Sequence, residues 1–160
     1  MEKRLSSVEK VERVLKSLPI STIIQELPHS TRTAKEAAAA VHCLVDQIVK
    51  SLVFQTINSE DPILILTCGS NQVDEKHVSI IIGEEIKFAS PAFVREKTGF
   101  AIGGVSPYGL KNKIPTYIDQ DLLNHTVIWA AAGSHNAVFS IHPRDLVDTT
   151  GGIVIAVHQG

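Results

Sequence analysis

Cysteine, methionine and tryptophan are scarce in this chain, with two, one and one among 160 residues. Cys43 and Cys68 lack metal-ligand spacing, so two unpaired thiols in a reducing compartment are expected rather than a disulfide framework. Long apolar runs are missing too. The apolar stretches present, such as Ile63 to Leu66 and Val127 to Ala132, are strand-sized and far short of a membrane span. The opening Met1-Glu2-Lys3-Arg4-Leu5 is polar and carries no apolar core of a secretory signal. The expectation is a cytoplasmic protein with no membrane partner.

There is no basic excess. Fifteen Lys and Arg stand against 17 Asp and Glu, a formal net charge of −2. Proteins that grip long stretches of nucleic acid neutralise many phosphates and show a strong basic surplus. If RNA is a ligand here, contact is confined to a few terminal nucleotides, or a partner protein holds the rest. His29, His42, His77, His125, His142 and His158 are scattered without a ligand-like pair, so neither a metal nor another cofactor is expected. No GxSxG elbow marks a nucleophilic serine, and neither cysteine has an activating histidine close in sequence. Covalent catalysis has no support.

What is present is an ordinary globular composition, 44% hydrophobic and 20% charged, sized for one domain over residues 1–160. Ser6-Ser7-Val8-Glu9 reads as a capping box, followed by Val8, Val11, Val14, Leu15 and Leu18 at helical spacing until Pro19. Residues 21–27 read as a strand ended by Pro28. Thr33 to Glu36 is a second capping box opening an alanine-rich helix over 34–42. One helical turn at 46–49 leads to Lys50 and a strand over 51–57, and Asp61-Pro62 turns into the strand ILILTC. A helix is expected near 73–82, and another from Ser90-Pro91 to Gly99. Strands near 115–119, 126–131, 137–141 and 153–158 follow, with a short helix from Pro143. Six to eight strands interleaved with four or five helices argue for an α+β fold: a mixed, largely antiparallel sheet closing to a barrel-like core with helices around it.

Three segments carry chemistry. Lys50, embedded in Ile48-Val49-Lys50-Ser51-Leu52-Val53-Phe54, either snorkels outward or points into a polar pocket, where its ammonium suits a phosphate or a developing negative charge. Gly103-Gly104-Val105-Ser106-Pro107 is either a plain tight turn or a bend whose N–H groups form an anion-binding nest. Gly133-Ser134-His135-Asn136 lies between two apolar runs. It is either a hairpin loop or a site offering a backbone amide, a hydroxyl and a titratable ring.

Together, TRTAKEAA (31–38), IVKSLVF (48–54), FASPAFVREKTGFAIGGVSPYGL (88–110), AAGSHNAVF (131–139) and DLVDTTGGIV (145–154) resemble the YbaK/prolyl-tRNA synthetase-associated editing family. The resemblance runs from about residue 20 to the C-terminus. It implies a mixed sheet or barrel with a pocket for the aminoacylated terminal adenosine of a tRNA. It further implies a trans-acting deacylase that clears tRNA charged with a small near-cognate amino acid. The family's lysine falls on Lys50, its GxxxP loop on Gly103 to Pro107, and its late glycine loop on Gly133 and Ser134, with His135 beside it. Lys50, Gly103 and Gly133 would then act on the ester. Ser51, Gly104, Val105, Ser106, Pro107, Ser134 and His135 would bind substrate. In some members asparagine follows the lysine, whereas here it is Ser51. The implied chemistry is metal-free: an activated ester needs an oriented water, supplied through the neighbouring ribose hydroxyl, and a stabilised oxyanion. The rival reading is a non-catalytic module that binds tRNA or a synthetase through the same pocket. The expected partners are the aminoacyl-tRNA 3′ end and, transiently, a synthetase or elongation factor, with the protein a monomer or homodimer.

Overall fold

The computed structural model describes residues 5–29, 31 and 33–159. The polar stretch Met1 to Arg4, Ser30, Arg32 and Gly160 lie outside the described residues. Helix α1 (Ser7–Ser17) begins at Ser6, whose hydroxyl accepts from the Glu9 amide while the Glu9 carboxylate returns a bond to the Ser6 amide. Val11 and Leu15 are buried from its apolar face, and Val8, Val14 and Leu18 pack beside them. The expected strand at 21–27 shrinks to β1 (Gln25–Glu26). Thr33 caps α2 (Ala34–Val41), its hydroxyl accepting from the Glu36 amide.

A 3-10 turn (Val45–Gln47) leads into β2 (Val49–Thr56), so Lys50 sits inside the strand rather than ahead of it. Then come β3 (Pro62–Cys68), α3 (Glu75–Ile82), β4 (Ile86–Phe88) and α4 (Pro91–Thr98). Ser90 caps α4, Pro91 fills its first position, and Gly99 ends it in the left-handed region. The chain finishes with β5 (Thr116–Asp119), a 3-10 stretch (Gln120–Asn124), β6 (Ile128–Ser134), β7 (Ala137–Ile141), α5 (Pro143–Thr150) and β8 (Ile153–Ile155).

The fold is α+β, and four of its six strand pairings are antiparallel. The strands form two sheets, one in the order β1-β7-β6 and one in the order β4-β2-β3-β5-β8. The expected barrel is not formed. Among the described residues a single parallel bridge, Ile48 to Trp129, joins the two sheets, and closure would need a continuous ladder there. Instead β2 pairs with β3 along Val49 to Gln55 and, on its other edge, with β4 only from Phe54 onward.

At the centre of the five-stranded sheet β3 is buried on both faces, which explains its unbroken apolar run. Leu64 and Leu66 face the larger core, with Phe100, Phe139, Ile128 and α1. Ile63 and Ile65 face a smaller one, with Phe54, Val78 and Val157. Core side chains pack on both faces of β2, and its unpaired stretch lies where the sheets part.

Candidate functional site

Between the bridge at Ile48 and the pairing that begins near Val53, one edge of β2 has no strand paired to it among the described residues, although β6 runs close by. A cavity of about 580 Å³ opens there. The Ala89 amide donates to the Val53 carbonyl, so odd-numbered residues of β2 direct their backbone toward this edge. Ser51, two residues back, therefore aims its N–H and C=O into the gap. Its hydroxyl is buried and has no hydrogen-bond partner. Leaving a hydroxyl so costs about 1–3 kcal/mol, which makes it the most conspicuous polar atom of the cavity.

The inner wall is apolar, from Val49, Val53, Ala89, Val94, Val105 and Val138, all buried. The mouth is framed by exposed Thr33, Lys35, Phe88, Ile102, Gly103 and His135. Every ionisable side chain on the lining is one that carries positive charge when protonated (Lys35, Lys50 and His135), although the whole chain is slightly acidic. The cavity thus concentrates positive potential that net charge conceals.

Lys50 is half-buried, and its Nζ donates to the Asn71 carbonyl. Burial holds its pKa below the ordinary lysine range, opposed in part by Cys68 and Asp119. The Asn71 loop is itself pinned. Its Nδ2 donates to Asp119 Oδ2 at 2.8 Å and to Asp121 Oδ2 at 2.7 Å. Asp119 is fully buried and also accepts from the Cys68 and Asp121 amides, both at 3.0 Å. A buried carboxylate with three N–H donors is well satisfied, and here it fixes the carbonyl that anchors Lys50. Sequence reasoning did not single out Asp119, Asn71 or Asp121. The available signal was a carboxylate ending the apolar strand TYID. Burial also raises the Cys68 thiol pKa, keeping it a neutral core group.

The two glycine bends pack on one another. A side chain at Gly104 would meet the Ser134 backbone at 3.1–3.3 Å, and one at Gly103 would meet the His135 ring at 2.7 Å. Gly103 has φ +87° and lies on the cavity wall with Val105, Ser134 and His135. The expected nest is not free, because the Gly104 amide donates to the Ala101 carbonyl at 3.0 Å. Gly104, Ser106 and Pro107 are buried and absent from the lining. The Ser106 hydroxyl instead accepts from the Tyr108 amide. Gly133 is also off the lining. Its φ is +99°, and a side chain there would strike the Ser7 carbonyl of α1 at 2.8 Å. The late loop is tied to the segment before α2: the His135 carbonyl accepts from the Thr31 amide and hydroxyl, and Leu27 and Asn136 exchange backbone and side-chain bonds. Ser134 Oγ donates to Asn136 Oδ1 at 3.0 Å, which leaves its lone pairs free to accept.

Of the residues read from sequence, the structure gathers Lys50, Ser51, Gly103, Val105, Ser134 and His135 around one cavity, and it leaves Gly104, Ser106, Pro107 and Gly133 behind the wall. Among the described residues no cluster of His, Cys, Asp and Glu could hold a metal ion, and no helix is long and apolar enough to cross a membrane.

The sequence profile described as aminoacyl-tRNA editing domain matches residues 29–149. A solved structure described as a candidate trans-editing enzyme for prolyl-tRNA synthetase superposes with a TM-score of 0.90 at 41% identity, covering 99% of this chain and 100% of that one. An uncharacterized protein of Bacillus subtilis strain 168, YwhH, is 32% identical over 123 residues, 77% of this chain and 78% of its own length. A candidate Cys-tRNA(Pro)/Cys-tRNA(Cys) deacylase of Enterococcus faecalis, EbsC, is 24% identical over 110 residues, 66% of this chain and 67% of its own.

Proposed function

The chain belongs to the aminoacyl-tRNA editing domain family, and we propose from that premise that it is a trans-acting deacylase that hydrolyses the ester of a mischarged tRNA. The observation that carries this reading is the cavity at the open edge of β2. There the Lys50 ammonium, the Ser51 strand amide and the Gly103 wall line one cavity.

The reaction asks little of the protein. An aminoacyl ester is activated, so water can attack its carbonyl carbon once both are held in place and the oxyanion is stabilised. The Ser51 N–H, directed into the gap, donates to that oxyanion. Lys50 presents a charge-bearing donor beside it, held at one proton by the Asn71 carbonyl and free to use its other two. The ribose hydroxyl next to the ester orients the water. The C–O bond to the ribose breaks, one proton of the attacking water goes to the ribose oxygen and the other to solvent, and the free amino acid leaves as its carboxylate. Lys35, at the mouth and on the first turn of α2, is placed to meet the terminal phosphate. The apolar inner wall receives a small side chain and excludes a large one by volume.

The small number of cations fits recognition of the last nucleotides alone, with a synthetase or elongation factor holding the tRNA body. The test is a panel of Ala-, Ser-, Thr- and Cys-charged tRNAs. Multiple-turnover release of at least one amino acid, after subtraction of the uncatalysed rate, supports the reading. Stoichiometric binding that protects the ester would instead make the protein a binding module.

A further inference from the structure

We infer that Ser51 reads the side chain of the bound aminoacyl group, and that the substrate class is a small amino acid bearing a β-hydroxyl, serine foremost. The inference rests on the deacylase reading for the location of the aminoacyl group and goes beyond it in naming that group.

Ser51 lies between Val49 and Val53 on one face of β2, and both valines belong to the larger core. Its side chain therefore projects to the inner, apolar end of the cavity rather than toward Asn71 and Asp119, where Lys50 is engaged. The buried lining around that end consists of Val49, Val53, Ala89, Val94 and Val105, none of which carries a side-chain donor or acceptor. Within it Ser51 Oγ has no partner and almost no solvent. The other hydroxyls of the lining each have one protein partner already: Ser134 has Asn136, Thr31 the His135 carbonyl and Thr33 the Glu36 amide. A ligand atom is thus the available partner for Ser51, and the side chain of an aminoacyl group whose carbonyl oxygen sits on the Ser51 N–H comes within reach of it. A methyl group placed there leaves the hydroxyl unmet, and a hydroxymethyl group satisfies it. Sites built around a hydrogen bond to a substrate hydroxyl discriminate strongly against the analogue that lacks it.

The experiment uses the full chain and two non-hydrolysable probes, 3′-deoxy-3′-(seryl-amino)adenosine and its alanyl counterpart, with affinities measured by calorimetry. The wild type is expected to bind the seryl probe about tenfold more tightly. Ser51→Ala keeps the backbone amide and should bring the two affinities within about twofold, with Tm unchanged or raised because no native hydrogen bond is lost. A wild type without the preference, a preference that survives Ser51→Ala, or a clear fall in Tm for that variant would each overturn the assignment. Parallel deacylation of Ser- and Ala-tRNA separates the two claims. A seryl preference in binding with no turnover of either tRNA leaves this inference standing and defeats the hydrolase reading. Turnover with equal kcat/KM for both and no effect of Ser51→Ala on their ratio does the reverse.

Discussion

The bend at Gly103-Gly104 and the bend at Gly133-Ser134 look alike in sequence, and their glycines make room for different things. Gly103 faces the cavity, and its missing side chain leaves space for the exposed ring of His135. Gly133 faces away, and its missing side chain lets α1 come within contact of the strand backbone. Both have positive φ, so the dihedral does not separate them. The direction of the absent Cβ does. A glycine motif marks a close approach, and only the structure tells whether the visitor is a ligand or another part of the chain.

The contrast can be broken by paired substitution. Gly133→Ala combines a left-handed backbone with a 2.8 Å clash against the immobile Ser7 carbonyl. It should cost about 2 kcal/mol and lower Tm by roughly 4–8 °C. Gly103→Ala carries the same left-handed strain, but there the obstacle is the exposed His135 ring, which can swing aside. Thermal unfolding should move less, while kcat/KM per folded molecule falls about tenfold because the wall of the cavity is displaced. Equal Tm losses with equal activity losses would show that both glycines serve packing alone.

Asp119 sharpens the comparison from the other side of the cavity. Asp119→Asn keeps the volume but removes the charge and one acceptor for Asn71 and the Cys68 amide. kcat/KM should drop about tenfold through a loosened Lys50, while the seryl-to-alanyl ratio stays fixed. A changed ratio would mean that the network shapes the inner pocket rather than the ammonium.

The pH dependence follows with its sign. Burial favours the neutral amine of Lys50, so the alkaline limb of kcat/KM should fall below the ordinary lysine range near about 10.4. Asp119 opposes that shift, so Asp119→Asn should carry the limb further down. A limb that moves up would remove the proposed coupling. The smallest effect is expected for His135→Ala, a loss of about twofold to fivefold in kcat/KM with unchanged Tm, since the ring covers the mouth and its backbone carbonyl still holds Thr31.

Much of this was legible in the chain itself. Capping residues and prolines announced α1, α2 and α4, because their signals are local: Ser6 with Glu9, Thr33 with Glu36, Ser90 with Pro91. Lys50, Gly103 and His135 stood out through residue type and resemblance, and the fold brings them to one cavity. What escaped depends on distant partners. Strand β4 carries Lys87 and an exposed Phe88 and exists because Phe54 to Thr56 offer a free edge. Barrel closure is a matter of how far β6 runs beside β2, which no local pattern encodes. The Asp119–Asn71–Lys50 chain joins three separate segments, so its only trace was one carboxylate in an apolar strand.

The proposed hydrolysis depends on the ammonium of Lys50 in β2. Deacylation of Ser-tRNA by Lys50→Ala, compared with wild type at equal folded concentration, tests it most directly. A fall of at least about 100-fold in kcat/KM with an unaltered melting curve is predicted, the loss expected when a stabiliser of developing charge is deleted. Activity within twofold of wild type would contradict it.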